Sequence, residues 1–196
     1  KVVALHDCDI TTYDRALLAR LLYPVAHPQF NYQFCKGFYA RVAEGKLNGR
    51  VSRLLVSPLL RSMKRVFPEQ SFLEYLDSFR YPLAGEFAMR IDLVKTLRIP
   101  ADWALEIGLL TEVFRNYSTK QVCQIEVADN YDHKHQELSA DDRTRGLSRM
   151  SSDIATSLYR ILATFGAVFE TGTVRTVKAA YLRIALALIE SYYNDA

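Results

Sequence analysis

The stretch Val2-Val3-Ala4-Leu5-His6-Asp7-Cys8-Asp9 sets the class of the fold. Four apolar residues run without alternation, two of them β-branched, and stop abruptly at a polar, acidic segment. Such a run reads as a buried strand that empties into a loop. Two carboxylates two residues apart at a strand's end can hold one divalent cation between them, or share it with a diphosphate. Hard cations such as Mg²⁺ and Mn²⁺ prefer these oxygen ligands. Alone, the triplet also fits a solvated loop or a helix cap.

The same alternation of element types continues downstream. Thr12 to Tyr23 has helical spacing, with Leu17, Leu18, Leu21 and Leu22 on one side, and Pro24 and Pro28 are expected to end it. Asn31 to Tyr39 reads as a strand, residues 44–49 as a polar loop, and Val51 to Val66 as a helix. Tyr81 to Ala88 suggests a turn entering another helix. Trp103 to Tyr117 is helical, with Leu105, Leu109, Leu110 and Val113 as its buried stripe. Gln121 to Val127 is a strand that opens into a polar loop over residues 128–135. From Asp141 onward two long helices are expected, broken near Gly166 to Gly172. Strands alternating with helices make the class α/β, with a helical C-terminal region. We expect residues 1–138 to form the catalytic part and 139–196 the helical part.

Bulk properties narrow the function. The 196 residues carry a net charge of +3, a mildly basic balance that suits phosphate-bearing ligands and falls short of what nucleic acid demands. No apolar run approaches the roughly 20 residues needed to cross a bilayer, so no membrane partner is expected. Three scattered cysteines, Cys8, Cys35 and Cys123, make no metal spacing and cannot all pair within the chain, which favours a cytoplasmic location. The chain starts inside an apolar run, from which we expect an N-terminal portion to be absent from this sequence.

Two chemistries compete for the acidic triplet. Asp7-Cys8-Asp9-Ile10-Thr11 fits the opening of haloacid-dehalogenase-type phosphatases, with Asp7 as the phosphorylated nucleophile and Asp129 and Asp132 as the later acidic pair, one residue short of the usual spacing. Against it stand further segments in a fixed order. They are Lys36-Gly37-Phe38-Tyr39-Ala40-Arg41, the run from Leu47 to Leu60 containing Gly49-Arg50-Val51-Ser52, and Pro82-Leu83-Ala84-Gly85-Glu86-Phe87-Ala88. Leu105-Glu106-Ile107-Gly108-Leu109-Leu110, Asp132-His133-Lys134-His135 and the weaker run from Leu147 to Ser151 follow. In this order and at these separations the chain resembles the glucosyl-3-phosphoglycerate synthases and their mannosyl relatives, over nearly its whole length.

That resemblance implies a GT-A-type (Rossmann-like) glycosyltransferase domain that lacks its N-terminal nucleotide-base-binding part. It implies a nucleotide-diphosphate-sugar donor (UDP- or GDP-glucose, or the mannosyl equivalent), Mg²⁺ or Mn²⁺, and a 3-phosphoglycerate acceptor. It also implies retention of configuration, a homodimer, and a place in compatible-solute or polysaccharide-precursor synthesis. Asp9 and His133 are the implied metal ligands, and Asp9 and Glu106 the implied catalytic residues. Asp7, Lys36, Gly85, Glu86, Trp103 and Glu106 are assigned to the donor. Gly49, Arg50, Ser52 and His135 are assigned to the acceptor, since a guanidinium, a hydroxyl and backbone N–H groups at a helix start make an anion site. His135 departs from the family, which usually carries Asn there, so plain glycerate stays open as an acceptor. The apolar stripe Val174, Val177, Tyr181, Ile184, Leu188 and Tyr192 serves either a dimer or the chain's own core.

Overall fold

The structure is a computed structural model that describes residues 1–40, 42–43, 46–129, 131 and 145–194. Its centre is a four-stranded mixed sheet in the order β1-β5-β2-β6. The strands are β1 (Val2–Leu5), β2 (Phe34–Tyr39), β5 (Phe87–Arg90) and β6 (Val122–Ala128), and a small hairpin of β3 (Val42–Ala43) and β4 (Lys46–Leu47) stands apart. β5 runs antiparallel to both β1 and β2, and β2 runs parallel to β6. It follows that β1, β2 and β6 all point the same way.

Helices cover both faces of the sheet. On one side α1 (Arg15–Ala26) lays Leu17, Leu21 and Val25, one helical turn apart each, over Cys35, Ala88 and Val127. On the other, Phe34, Phe87 and Met89 meet α2 (Ser57–Val66), α3 (Ser71–Asp77), the short α4 (Ile91–Val94), α5 (Leu105–Asn116), α6 (Gly146–Thr164) and α7 (Thr171–Asn194) in one continuous core. Ile154, Leu158 and Leu162 of α6 are fully buried in that core, and each contributes about 1.5–3 kcal/mol by leaving water. The C-terminal helices therefore share the core of the α/β part.

The expected strands β1, β2 and β6 and the helices α5, α6 and α7 are present near their predicted bounds. Three local readings need correction. First, the segment after Tyr81 enters strand β5, not a helix. Phe87, Ala88 and Met89 are buried on both faces as the inner strand between β1 and β2. Second, α1 continues past Pro24 to Ala26. His27 N–H donates to the Tyr23 carbonyl at 3.0 Å, and fully buried Val25 holds the last turn. Third, the helix opening at Arg50 is interrupted by a π-helical turn over Ser52–Val56. Pro58 has no N–H to give the Leu54 carbonyl, and Tyr181 O–H of α7 donates to that carbonyl at 2.9 Å instead.

The stripe on α7 is also resolved. Val177 and Ile184 are buried, Tyr181 bonds Leu54, and Tyr192 lies beneath the Arg53 guanidinium at 4.9 Å, so this face packs on the chain's own π turn and α2. A different face carries Leu182, Leu186, Ile189 and Tyr193, all exposed.

Candidate active site

Because β1, β2 and β6 are parallel and β5 is antiparallel to them, one sheet edge collects three strand ends and one strand start. Asp7 follows β1, Tyr39 ends β2, Tyr131 follows β6, and Glu86 immediately precedes β5. In open α/β sheets, ligands bind outside the carboxyl ends of such strands.

Glu86 is fully buried at the centre of this edge. Its Oε1 accepts from the Asp7 backbone N–H at 3.2 Å and from the Tyr131 O–H. Its backbone carbonyl accepts from Gly37 N–H at 2.8 Å, extending the β2–β5 ladder by one rung. Gly37 is small of necessity: a Cβ there would lie 2.9 Å from Glu86 Cβ and 3.0 Å from Val127 Cγ1. Glu86 Oε2 is buried and has no hydrogen-bond partner among the described residues. Gly85 serves Asp7 in the same way, because a Cβ at Gly85 would sit 2.3 Å from Asp7 Oδ1. The Asp7 carboxylate thus lies directly on the Gly85 backbone. Cys8 and Asp9 form the following turn, and Asp9 is exposed.

Lys36 on β2 is buried to 1 % exposure, its ammonium donating to the Ala84 carbonyl and lying 5.4 Å from the Phe87 ring centre. Burial pushes its pKa down to about 8, against the opposing pull of Glu106, Glu86 and Asp7. Glu106 stands in the first turn of α5 and is half-buried. Desolvation raises its pKa, Lys36 pulls it back, and Asp7 and Glu86 add to the rise. Three carboxylates around one buried ammonium leave an excess of negative charge, which favours a further cation at this edge. The loop before α5 is folded tightly on the helix: a Cβ at Gly108 would meet Pro100 Cγ at 2.3 Å, and Ala104 N–H bonds Asp102 at 2.9 Å. Trp103, on that loop, is 41 % exposed.

The proposed anion site lies at the end of a row of aromatic rings. Gly49 has φ +83°, the left-handed conformation that turns the chain into the helix at Arg50. Arg50 is exposed, and the Ser52 hydroxyl is buried without a partner among the described residues. A Cβ on Gly49 would touch the Tyr81 hydroxyl at 3.5 Å. Tyr81 meets Tyr39 edge-on at 5.2 Å, Tyr39 stacks on Tyr131 at 3.6 Å, and Tyr131 bonds Glu86. Tyr39 and Tyr131 are driven well above the ordinary tyrosine pKa by burial first and by Glu86 second, so both stay neutral hydrogen-bonding groups.

Sequence comparison identifies the lineage of this arrangement. No protein-family model matches the chain. It is 50 % identical over 190 residues to the glucosyl-3-phosphoglycerate synthase of Persephonella marina, an alignment covering 97 % of this chain and 47 % of that protein. The glucosyl-3-phosphoglycerate synthase of Methanococcoides burtonii is 45 % identical over 198 residues, covering 99 % of this chain and 48 % of that one. Over nearly its whole length the chain is thus similar to about half of a glucosyl-3-phosphoglycerate synthase. It spans about half the length of the curated relatives it matches.

Structural neighbours agree on the fold. Mannosyl-3-phosphoglycerate synthase from Rubrobacter xylanophilus superposes with a TM-score of 0.69 at 26 % identity, over 87 % of this chain and 49 % of that one. Glucosyl-3-phosphoglycerate synthase from Mycobacterium tuberculosis, in complex with Mn²⁺, UDP-glucose and phosphoglyceric acid, superposes at 0.64 and 24 % identity, over 87 % and 51 %. The chain therefore has the GT-A glycosyltransferase fold expected of it. These relatives favour the transferase over the phosphatase reading of Asp7.

The structure gathers Asp7, Gly85, Glu86, Lys36 and Glu106 into one cluster, and the tyrosine row joins it to Gly49. His133 and His135 lie outside the described residues, so the second metal ligand and the altered acceptor contact are not placed. Among the described residues, no three His, Cys, Asp or Glu side chains form a metal-sized group. Two neighbours were not foreseen from sequence. One is the tyrosine row. The other is His6, whose ring nitrogens are buried without a partner among the described residues and whose pKa is lowered by burial. The only available signal for Tyr131 was its place two residues before His133.

Proposed function

We propose that this chain carries the metal- and acceptor-binding part of an enzyme that transfers glucose from UDP-glucose to 3-phosphoglycerate with retention of configuration. The observation that carries the reading is the carboxylate-rich sheet edge at Asp7, Glu86 and Glu106, in a chain half-identical to named synthases of this kind. The residues suit a divalent cation: Asp9 is exposed at a strand end, and the cluster behind it has excess negative charge. Asp9 and His133 would hold Mn²⁺ or Mg²⁺, ions found with UDP in the Mycobacterium tuberculosis enzyme. When bound, such a cation withdraws charge from the leaving diphosphate.

The chain's own residues do the positioning. Glu106, half-buried in the first turn of α5, accepts from the sugar hydroxyls of the donor, and buried Lys36 offsets the surrounding carboxylates. Gly49, Arg50 and Ser52 anchor the acceptor phosphate. Holding the acceptor hydroxyl against the anomeric carbon on the face of the departing diphosphate retains configuration, and this alignment supplies much of the rate.

The reading extends to a cytoplasmic homodimer. Three free cysteines, Cys8, Cys35 and Cys123, support the location, and the exposed stripe Leu182, Leu186, Ile189 and Tyr193 offers the dimer a face. Among the described residues no helix is long and apolar enough to cross a membrane. The test of the site is chelation with substitution. Asp9→Ala in the full-length protein should lose transfer while its thermal transition stays near that of wild type, and chelator should silence the wild type reversibly. Full transfer in excess chelator would refute it.

A further inference from the structure

The helix that opens at Arg50 does not run smoothly into α2. The Ser57 N–H donates to the Ser52 carbonyl, five residues back instead of four, which makes the turn over Ser52–Val56 π-helical. Pro58 explains the widening. In a regular helix its ring would press on the carbonyl four residues earlier, that of Leu54, and it has no N–H to offer that oxygen. One extra residue in a turn rotates everything before it by about 100° around the axis. The wide turn therefore decides where Arg50 and Ser52 face relative to the buried residues Leu59, Leu60 and Met63 of α2. Single wide turns of this kind recur at functional sites.

The C-terminal helix holds this turn from outside. The Tyr181 hydroxyl of α7 donates to the Leu54 carbonyl at 2.9 Å, joining residues 127 positions apart. Burial raises the Tyr181 pKa, which keeps that hydroxyl a donor. Beside Leu54, the Arg53 guanidinium lies 4.9 Å from the Tyr192 ring centre of α7, and its Nε donates to the Asn48 carbonyl at 3.3 Å. Asn48 adjoins Gly49, whose φ of +83° turns the chain into the helix. So α7 grips the π turn that carries Ser52 and, through Arg53, the bend that carries Gly49 and Arg50. The Ser52 hydroxyl within that frame is buried and has no partner among the described residues.

We infer that Tyr181 is a positioning residue for the acceptor: by holding the π turn, it sets the rotation of the Gly49, Arg50 and Ser52 anion site. The inference rests on the acceptor assignment above and deepens it. Tyr181 does not need to touch the acceptor. Without its hydroxyl the Leu54 carbonyl is left unanswered beside Pro58, and the first turn is free to fray. With an N–H restored at position 58 as well, a regular helix satisfies Leu54 and turns the anion site away. Acceptor affinity falls with the fraction of molecules that keep the wide turn.

The test compares Tyr181→Phe, the double variant Pro58→Ala with Tyr181→Phe, and Arg50→Ala in the full-length protein, by steady-state transfer kinetics and thermal unfolding. Tyr181→Phe keeps the ring and removes one hydrogen bond. It should raise the KM for 3-phosphoglycerate about 3- to 10-fold and leave the KM for UDP-glucose unchanged. The double variant should melt above Tyr181→Phe, because Leu54 regains a donor, while its KM for 3-phosphoglycerate climbs further, to about 10-fold or more above wild type. A merely structural tyrosine would show stability and KM recovering together. That joint recovery, or a wild-type KM for 3-phosphoglycerate in Tyr181→Phe, would overturn the tether while leaving the functional reading intact. A wild-type KM for 3-phosphoglycerate in Arg50→Ala would overturn both, since the anion site would then lie elsewhere.

Discussion

Adding one methyl group at Gly85 should disable the site while sparing the fold. The Cβ of Gly85→Ala would fall 2.3 Å from Asp7 Oδ1 and 3.0 Å from its Cγ, whereas ordinary contact begins at 3.4 Å. The Asp7 carboxylate must therefore retreat by about 1 Å, and misplacing a group in a reacting site by that much costs on the order of 100-fold in rate. The obstructing atoms are the tip of a short side chain, so the strain is relieved by swinging Asp7 away instead of by moving the β1–β5 ladder. Asp7 N–H stays bonded to Glu86, which anchors the backbone during that swing. Transfer by the full-length variant should then fall about 100-fold in kcat/KM with a stability loss of at most about 1–3 kcal/mol, the usual range for overpacking. Wild-type kcat/KM in Gly85→Ala would refute the idea that Asp7 acts from its seat on this glycine. So would a loss of activity wholly explained by unfolding.

Two other perturbations follow from the same edge. Lys36 has its pKa lowered from 10.5 to about 8, so the unfolded chain binds the extra proton between those values and stability rises with pH through that window. Relative to Lys36→Met, wild type should gain about 2 kcal/mol between roughly pH 7 and 9.5. That difference removes the opposing effect of Cys35 and the buried tyrosines, and parallel denaturation profiles would contradict it. Arg50→Ala should raise the KM for 3-phosphoglycerate about 10- to 100-fold, the worth of one or two charge-assisted hydrogen bonds, and leave the KM for the nucleotide sugar unchanged. A proportional rise in both constants would remove Arg50 from the acceptor site.

How much of this was legible in the sequence depended on what periodicity can carry. β1, β2 and β6 are long or β-branched enough to declare themselves, and α5 to α7 repeat their apolar positions over several turns. β5 did not, because Phe87-Ala88-Met89-Arg90 has no β-branched residue, and only its place between β1 and β2 makes it a strand. α3 is seven residues long and too short for a helical period to stand out. The apolar stripe on α7 was visible, but its partner was not: spacing alone cannot tell a dimer face from a core face, and Tyr181 turned out to answer the carbonyl that Pro58 leaves unpaired. Residue type and motif order singled out Asp7, Lys36, Gly85, Glu86 and Glu106, which the structure brings to one sheet edge, and Asp9, which it leaves exposed in the turn beyond. That Glu86 accepts from both Asp7 and Tyr131 was not legible, since it follows from strand order, and the sequence does not state that β1 and β6 end up on opposite sides of β5 and β2.

The most direct test of the central claim is a transfer assay on the full-length protein. UDP-glucose and Mn²⁺ are supplied with either 3-phosphoglycerate or glycerate, and the products are followed by nuclear magnetic resonance. The account predicts a single new α-glucoside, formed from 3-phosphoglycerate in clear preference to glycerate, with UDP released in equal amount. Preference for glycerate, an inverted β-glucoside, or release of inorganic phosphate from 3-phosphoglycerate in place of transfer would each contradict it.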